Sequence, residues 1–190
     1  MAKYRLIRAL ISQPDDKNIR YIPLTRGQFA IVDASDYEEL NKTNWYAAWC
    51  KNTKSFYVHR PNTERKVGSI SMHRRLLGLE YGDKRNGDHI NGNTLDNRRS
   101  NLRIATPHQN SGNSKLRSDN TSGYRGVYPH NRDKGKWCVA QQITGRTSKH
   151  QGVFSSKEDA AQVYILIAYL NFGEFSSLGR DYKCALFGGK

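Results

Sequence analysis

The chain has 190 residues, with 31 Lys+Arg against 17 Asp+Glu and a formal net charge of +14. That length admits one sizeable domain or two to three small ones, and no apolar run reaches the length of a membrane-spanning helix. So large a positive surplus points to a polyanionic partner, nucleic acid first, because acidic residues serve bare solubility better than basic ones.

The opening MAKYRLIRALISQPDD holds a short apolar stretch broken by Arg5 and Arg8, without the longer apolar core and small-residue cleavage site of a secretory signal. Cys50, Cys138 and Cys184 are far apart and form no Cys-x-x-Cys pair, which argues against a disulfide framework and a thiolate zinc site and for a cytoplasmic protein. Strand-like runs are predicted at Arg20–Leu24, Phe29–Val32 and Ser55–Val58, with one short helix over Asp36–Lys42 capped by Ser35. Trp45, Tyr46 and Trp49 are read as core aromatics. Together residues 1–66 form a β-rich scaffold segment.

Residues 67–113 are polar, with scattered apolar anchors. Met72–Leu79 predicts a two-turn helix in a segment that Gly82 ends. From Gly87 to Arg103 turn formers alternate with single apolar residues, which predicts two short strands joined by an Asn-rich loop. Thr106-Pro107 then reads as an N-cap followed by the first residue of a helix. So small a unit leans on its flanks for stability. The stretch SGNSKLRSDNTS cannot bury enough surface to order itself, and residues 114–121 are read as a linker.

Beyond it, strands are predicted at Tyr124–Tyr128, Trp137–Ile143 and Gly152–Phe154. Ser156 opens a helix with Asp159 in the capping-box position, ending before Gly173. Ala160, Val163, Tyr164, Ile167, Ala168 and Asn171 mark one face of it. The fold class is α+β: a scaffold, a strand–strand–helix core over 67–113, a linker, and a three-stranded antiparallel sheet with a helix over 122–190.

The most informative stretch is GDHINGNTLDNRRSNLRIATPHQNSGN, residues 87–113. Asp88 and His89 are adjacent, and Asn110 would return over the two strands on the helix that begins at Pro107. A carboxylate and an amide oxygen are hard ligands suited to Mg²⁺, which keeps several waters and completes its shell with phosphate oxygens. A neutral imidazole beside them can take a proton from water near neutral pH, and the ion can stabilise charge on the phosphoryl and leaving oxygens. An Asp-His pair alone is more often a polar hairpin. The combination of Asp-His, Asn-Leu-Arg and a helical Asn carries the argument.

These residues resemble the HNH, or ββα-metal, endonucleases, especially the phage-type homing endonucleases. The matching text is Asp88-His89-Ile90-Asn91-Gly92-Asn93, Leu95-Asp96-Asn97-Arg98-Arg99, Asn101-Leu102-Arg103 and Gln109-Asn110. The resemblance implies His89 as general base, Asp88 and Asn110 as ligands of one divalent ion (Mg²⁺, with Mn²⁺ as the substitute), and Asn101 as the residue that braces the loop and orients His89. Some ββα-metal nucleases add a metal-binding His one turn later, where this chain has Ser114; Asn113 is an alternative ligand. His73 is read as structural, and His108 as either a phosphate contact or an exposed turn residue.

The C-terminal part resembles AP2 DNA-binding domains through Ser122-Gly123-Tyr124-Arg125-Gly126-Val127, Lys136-Trp137, Gly152-Val153-Phe154 and Glu158-Asp159-Ala160-Ala161-Gln162-Val163-Tyr164. That likeness implies a sheet lying in the major groove, with Arg125, Tyr128, His130, Gln142 and His150 facing DNA. Arg132, Lys134, Lys136, Arg146 and Lys149 add phosphate-contacting charge. Trp137 is read as core. Lys115 and Arg117 in the linker, and Arg103 in the core, join the expected DNA contacts. The expectation is a metal-dependent endonuclease of a phage or mobile element that acts as a monomer on double-stranded DNA and nicks one strand, with no membrane partner. Its rival is a DNA-binding regulator whose nuclease core is inactive.

Overall fold

The first two predicted strands meet as a hairpin: β1 (Ile19–Pro23) pairs antiparallel with β2 (Phe29–Asp33). Ile22, Leu24, Ala30 and Val32 are buried, as period-2 alternation requires. These features come from a computed structural model that describes residues 11–63, 68–114, 116, 119–144 and 147–177; the side chains of 141–144 and 147–149 lie outside that description. The chain is a mixed α+β protein of small antiparallel sheets and few helices, and it divides into two units, residues 1–106 and 107–190. Among the described residues no helix is long and apolar enough to cross a membrane.

In the first unit α1 (Ala34–Asn41) follows β2 directly, two residues ahead of the predicted start. Asp33, not Ser35, occupies the cap position, and its carboxylate accepts a hydrogen bond from the Arg99 backbone N–H at 2.7 Å. The Ala34 N–H bonds back to the Asn18 carbonyl at 2.8 Å, so strand and helix join without a separate turn. Trp45 is fully buried, and its indole N–H donates to the Leu40 carbonyl at 2.8 Å, giving a buried polar tip the partner it needs.

Next come β3 (Tyr46–Cys50), β4 (Ser55–Pro61) and β5 (Ser69–Ser71), a three-stranded sheet in the order β3-β4-β5. Strands β3 and β5 were not predicted. Trp49 corrects the core reading: it is 46% exposed and rests on Phe56 with ring centroids 4.8 Å apart. It shares the parity of buried Trp45 and Ala47 but stands by the hairpin turn, past the rim of the core. The helix α2 (Met72–Leu76) ends three residues short of the predicted Leu79, which is itself buried. Ile22, Leu24, Ala30, Val32, Leu40, Trp45, Ala47, Val58 and Met72 form the core of this unit. The last pair of strands, β6 (Asn86–His89) and β7 (Leu102–Ala105), is the predicted hairpin, with Asp88 opposite Arg103 and His89 opposite Leu102.

The second unit begins with α3 (Pro107–Gly112), starting at the predicted proline. Of the expected Tyr124–Tyr128 strand only its end is extended, as β8 (Val127–Pro129). Upstream, Asn120 folds the backbone into a turn: its Oδ1 accepts from the Gly123 N–H at 2.7 Å and its Nδ2 donates to the Tyr124 carbonyl at 2.9 Å. Asn side chains favour such turns by imitating backbone hydrogen bonds. Then β9 (Trp137–Thr144) and β10 (Thr147–Phe154) complete an antiparallel sheet in the order β10-β9-β8.

The helix α4 (Lys157–Phe172) packs on that sheet. Ser156 Oγ accepts from the Asp159 N–H at 3.0 Å, the predicted cap, and Gly173 at φ 53° closes the helix. Its buried face is Ala160, Ala161, Tyr164, Ala168 and Phe172, packed with Val127 and Val139. Asn171, expected on that face, is exposed and donates to the Ile167 carbonyl instead. Trp137 packs against this core as read from the sequence. Gly126, at φ 71°, is the tightest approach: a Cβ there would stand 1.9 Å from the Tyr164 ring.

Candidate active site

Asp88 and His89 close strand β6, and both are buried, at 6% and 4% exposure. Neighbours on a strand face opposite sides, and β6 stops at His89, where the chain turns: the Gly92 N–H bonds to the His89 carbonyl at 2.9 Å, and the Ile90 N–H to the Asn101 carbonyl at 2.8 Å. The register sets Asp88 against Arg103, and the two side chains form a cross-strand ion pair, with Arg103 Nε and Nη2 both 2.8 Å from Asp88 Oδ2. Arg103 was expected to contact DNA. Its side chain is only 12% exposed and lies along the carboxylate.

The loop from Asn91 to Asn101 is held by its own amides. Asn101 is buried; its Oδ1 accepts from the Asn91 N–H at 2.9 Å and its Nδ2 donates to the Asp96 carbonyl at 2.7 Å. The first of those bonds reaches ten residues back along the chain, almost across the whole loop. Asp96, 2% exposed, takes a bidentate pair from Arg98 (2.8 and 2.6 Å) and a bond from Asn91 Nδ2 at 3.0 Å. The scaffold also grips this loop: the Ile31 N–H bonds to the Leu95 carbonyl at 2.9 Å, the Asn97 N–H to the Ile31 carbonyl at 2.7 Å, and Thr94 Oγ1 to the Phe56 carbonyl at 2.5 Å. Arg99 adds a bidentate pair with Asp36 at 2.8 Å for each bond.

His89 Nε2 lies 3.4 Å from Asn97 Oδ1. The Asn97 Nδ2 donates to the Leu95 carbonyl at 3.1 Å, so the amide presents oxygen, not nitrogen, to the imidazole. An oxygen acceptor there places the ring proton on Nε2 and the basic lone pair on Nδ1. Sequence reasoning missed Asn97 in this role, although it stood in the quoted Leu95-Asp96-Asn97 segment; two asparagines four residues apart look alike until one is seen against the ring. Burial lowers the His89 pKa from the ordinary 6.5, partly opposed by the bond to Asn97 and the charges of Asp88 and Asp96. The neutral, proton-accepting form is therefore the resting one.

His73, on α2, stands at a centroid distance of 5.0 Å from His89, and Tyr57 lies 6.3 Å from His89. Burial, with the neighbouring His89, His59 and Arg74, lowers the His73 pKa to about 3. It is a neutral packing element beside His89.

The other expected ligand, Asn110, is half-buried on α3 in the second unit. His108 is exposed and its ring lies 4.9 Å from that of Phe172; Asn113 donates its backbone N–H to the Asn110 carbonyl at 3.2 Å. On the C-terminal sheet Tyr128 and His150 are exposed, Tyr128 at 49%. His130 is half-buried and its Nδ1 accepts from the Asp133 N–H at 3.0 Å, capping the β8–β9 turn. Arg132, Lys134 and Lys136 are exposed around that turn, and Lys136 lies 3.4 Å from Asp133. Arg125 turns its guanidinium onto the end of α3. Lys115, Arg117 and Arg146 lie outside the described residues, as do the side chains of Gln142 and Lys149.

Among the described residues no three His, Cys, Asp or Glu side chains gather as a metal cage. HNH nucleases generally use a divalent ion, and the buried Asp88 carboxylate is a hard oxygen donor of the kind such ions take.

A buried Asp-His at a strand end, with a tautomer-setting amide and an amide-braced loop, is the equipment of a hydrolase. The family model for HNH endonucleases matches residues 72–111, from α2 to the last turn of α3. The chain is also 34% identical over 156 residues to an uncharacterized HNH endonuclease of Acanthamoeba polyphaga mimivirus, covering 80% of this chain and 75% of that protein. No solved structure matches. The chain belongs to the HNH endonucleases: it is a DNA endonuclease, an enzyme that hydrolyses phosphodiester bonds.

Proposed function

We infer that this endonuclease nicks one strand of double-stranded DNA per bound monomer, using one divalent ion and a C-terminal AP2-like sheet that holds the duplex. The observation that carries this reading is the His89–Asn97 contact at 3.4 Å on a buried strand end that also bears Asp88. His89, neutral and with its Nδ1 basic, takes the proton of an attacking water as the water oxygen bonds to phosphorus and the bond from phosphorus to the leaving sugar oxygen breaks. Asn97 keeps the acceptor nitrogen in place, and Asn101 keeps the loop closed over it. Arg103 holds the Asp88 carboxylate through a hydrogen bond from Nε and the ion pair of Nη2 with the same oxygen.

Asp88 and Asn110 would hold the ion, Mg²⁺ or Mn²⁺, which supplies charge stabilisation to the phosphoryl and leaving oxygens. The exposed Tyr128 and His150 with Arg132, Lys134 and Lys136 fit a sheet face laid on DNA, where basic side chains fix position on the phosphates. One base per chain fits one cut per monomer. A cytoplasmic phage or mobile-element setting suits such an enzyme.

Relaxation of supercoiled plasmid tests this reading. Wild-type protein with Mg²⁺ should convert supercoiled DNA to the open-circle form before any linear product appears, and chelation should stop it. Linear product from the first turnover would overturn single-strand nicking, and full activity in excess chelator would overturn the metal.

A further inference from the structure

The likeness to AP2 domains gives Arg125 to DNA, but in the structure its guanidinium is engaged at the end of α3. Nη1 reaches the carbonyls of Gly112 at 2.9 Å and Ser114 at 2.8 Å, and Nη2 reaches the Ser111 carbonyl at 2.5 Å and Ser114 Oγ at 2.7 Å. Those acceptors sit at the C-terminal end of α3, a helix of only six residues. The last carbonyls of any helix lack partners within it, and one so short is not stable by itself. A planar, permanently charged fork satisfies several of those carbonyls at once and opposes the negative end of the helix dipole.

A second fastening lies one turn earlier. The His108 ring packs on Phe172, and a Cβ on Gly112 would come within 2.7 Å of the same Phe172 ring. Phe172 belongs to the buried core of the C-terminal unit, and so does Tyr164. Asn110 stands two residues from His108 and two from Gly112, between both fastenings.

We propose that Arg125 is a positioning residue of the nuclease: by gripping the end of α3 within the C-terminal unit, it sets how Asn110 on that helix presents its amide oxygen to the ion. This rests on Asn110 being a metal ligand. The unit that engages DNA thereby carries a ligand of the ion inside its own packing, and occupancy of the metal depends on a residue that touches neither metal nor DNA. Charge alone is not enough for the task; the fork is needed, because a lysine cannot bridge three carbonyls in fixed directions.

The test uses the full chain with Arg125→Ala, Arg125→Lys, Asn110→Ala and the Asn110→Ala/Arg125→Ala double variant. Three quantities are read: Mn²⁺ affinity with duplex DNA present, from the spectrum of the free ion; the Mg²⁺ concentration giving half-maximal plasmid nicking; and duplex affinity in chelator with its salt dependence. The expected result for Arg125→Ala is Mn²⁺ binding weakened by about tenfold, the scale seen when an outer partner of a metal ligand is removed. The Mg²⁺ requirement should rise in parallel, while duplex affinity and salt slope in chelator stay as in wild type. Arg125→Lys should lose most of the same amount, and the double variant should bind Mn²⁺ no more weakly than Asn110→Ala alone.

If Arg125→Ala instead weakens duplex binding and flattens the salt slope by about 0.9, the loss of one phosphate contact, with Mn²⁺ affinity unchanged, Arg125 is a DNA contact and the proposal is wrong. If Asn110→Ala itself leaves Mn²⁺ affinity unchanged, the ligand reading fails and takes the proposal with it. If Asn110→Ala weakens Mn²⁺ binding but both Arg125 variants bind it as wild type, the ligand reading stands and the positioning role alone is overturned. Should Arg125→Ala lose its melting transition, Arg125→Lys decides between these outcomes.

Discussion

The β6–β7 loop and the C-terminal sheet with α4 are built on opposite plans. Around His89 the buried groups are polar: Asp88, Asp96, Asn97 and Asn101 are each at or below 6% exposure. Every one is tied to a backbone group or an ion-pair partner. Behind the C-terminal sheet the buried groups are Val127, Val139, Ala160, Ala161, Ala168 and the rings of Tyr164 and Phe172. Apolar packing stabilises without choosing directions, whereas a hydrogen-bonded network fixes where each atom points and is costly to leave half made. The first plan suits a site in which one nitrogen must be aimed; the second suits a support.

That contrast is most exposed by His89→Ala. Loss of the base should slow plasmid nicking by about 10²- to 10⁴-fold, with duplex affinity in chelator and melting temperature close to wild type; wild-type turnover would remove His89 from the chemistry. Gly126→Ala should do the reverse. Its Cβ meets the Tyr164 ring at a φ of 71°, so thermal or urea unfolding should show a loss of about 3 kcal/mol, the upper range of steric misfits in packed cores. A near-neutral result would mean that Tyr164 yields easily and that this core is packed more loosely around Gly126 than the 1.9 Å approach implies.

Asn101→Ala strands the Asn91 N–H and the Asp96 carbonyl, and should cost about 2 kcal/mol of stability. Nicking should fall with the KM for plasmid little changed, because the proposed role of Asn101 is to hold the loop that carries His89's partner. A change in KM alone would contradict the bracing role.

Acid should act on the first unit through His73. In the folded protein it stays neutral down to about pH 3, its pKa lowered chiefly by burial, while in the unfolded chain it takes a proton near 6.5. The unfolded state therefore binds more protons between those limits, and stability falls as pH drops below about 6.5, by up to about 1.4 kcal/mol per pH unit for this residue. His73→Gln should flatten that part of the stability curve in urea titrations; an unchanged slope would assign the acid sensitivity elsewhere.

The smallest effect is expected at the surface. Lys134→Ala, at the exposed β8–β9 turn, should leave stability within about 0.5 kcal/mol of wild type. It should lower the salt slope of duplex binding by about 0.9 if the lysine meets a phosphate.

Much of this was legible before any coordinates. Period-2 runs, the proline opening α3 and the Ser156–Asp159 cap are local signals, set within a few residues by backbone sterics and hydrogen bonding. So were Asp88 and His89 as neighbours at the end of one strand of a hairpin. What tertiary structure alone decided involves partners distant along the chain. Strand β5 is a three-residue piece that exists because β4 offers it an edge. Trp49 turned outward because the core ends before it does. Asn97 stands at the imidazole because Ile31 holds that part of the loop in place. Arg125 engages α3 because the end of a six-residue helix offers a guanidinium several carbonyl acceptors at once, which its place in a sequence pattern cannot foretell. Residue types and their spacing determine which chemistry is available; the direction in which each donor points depends on long-range packing, and no local pattern records it.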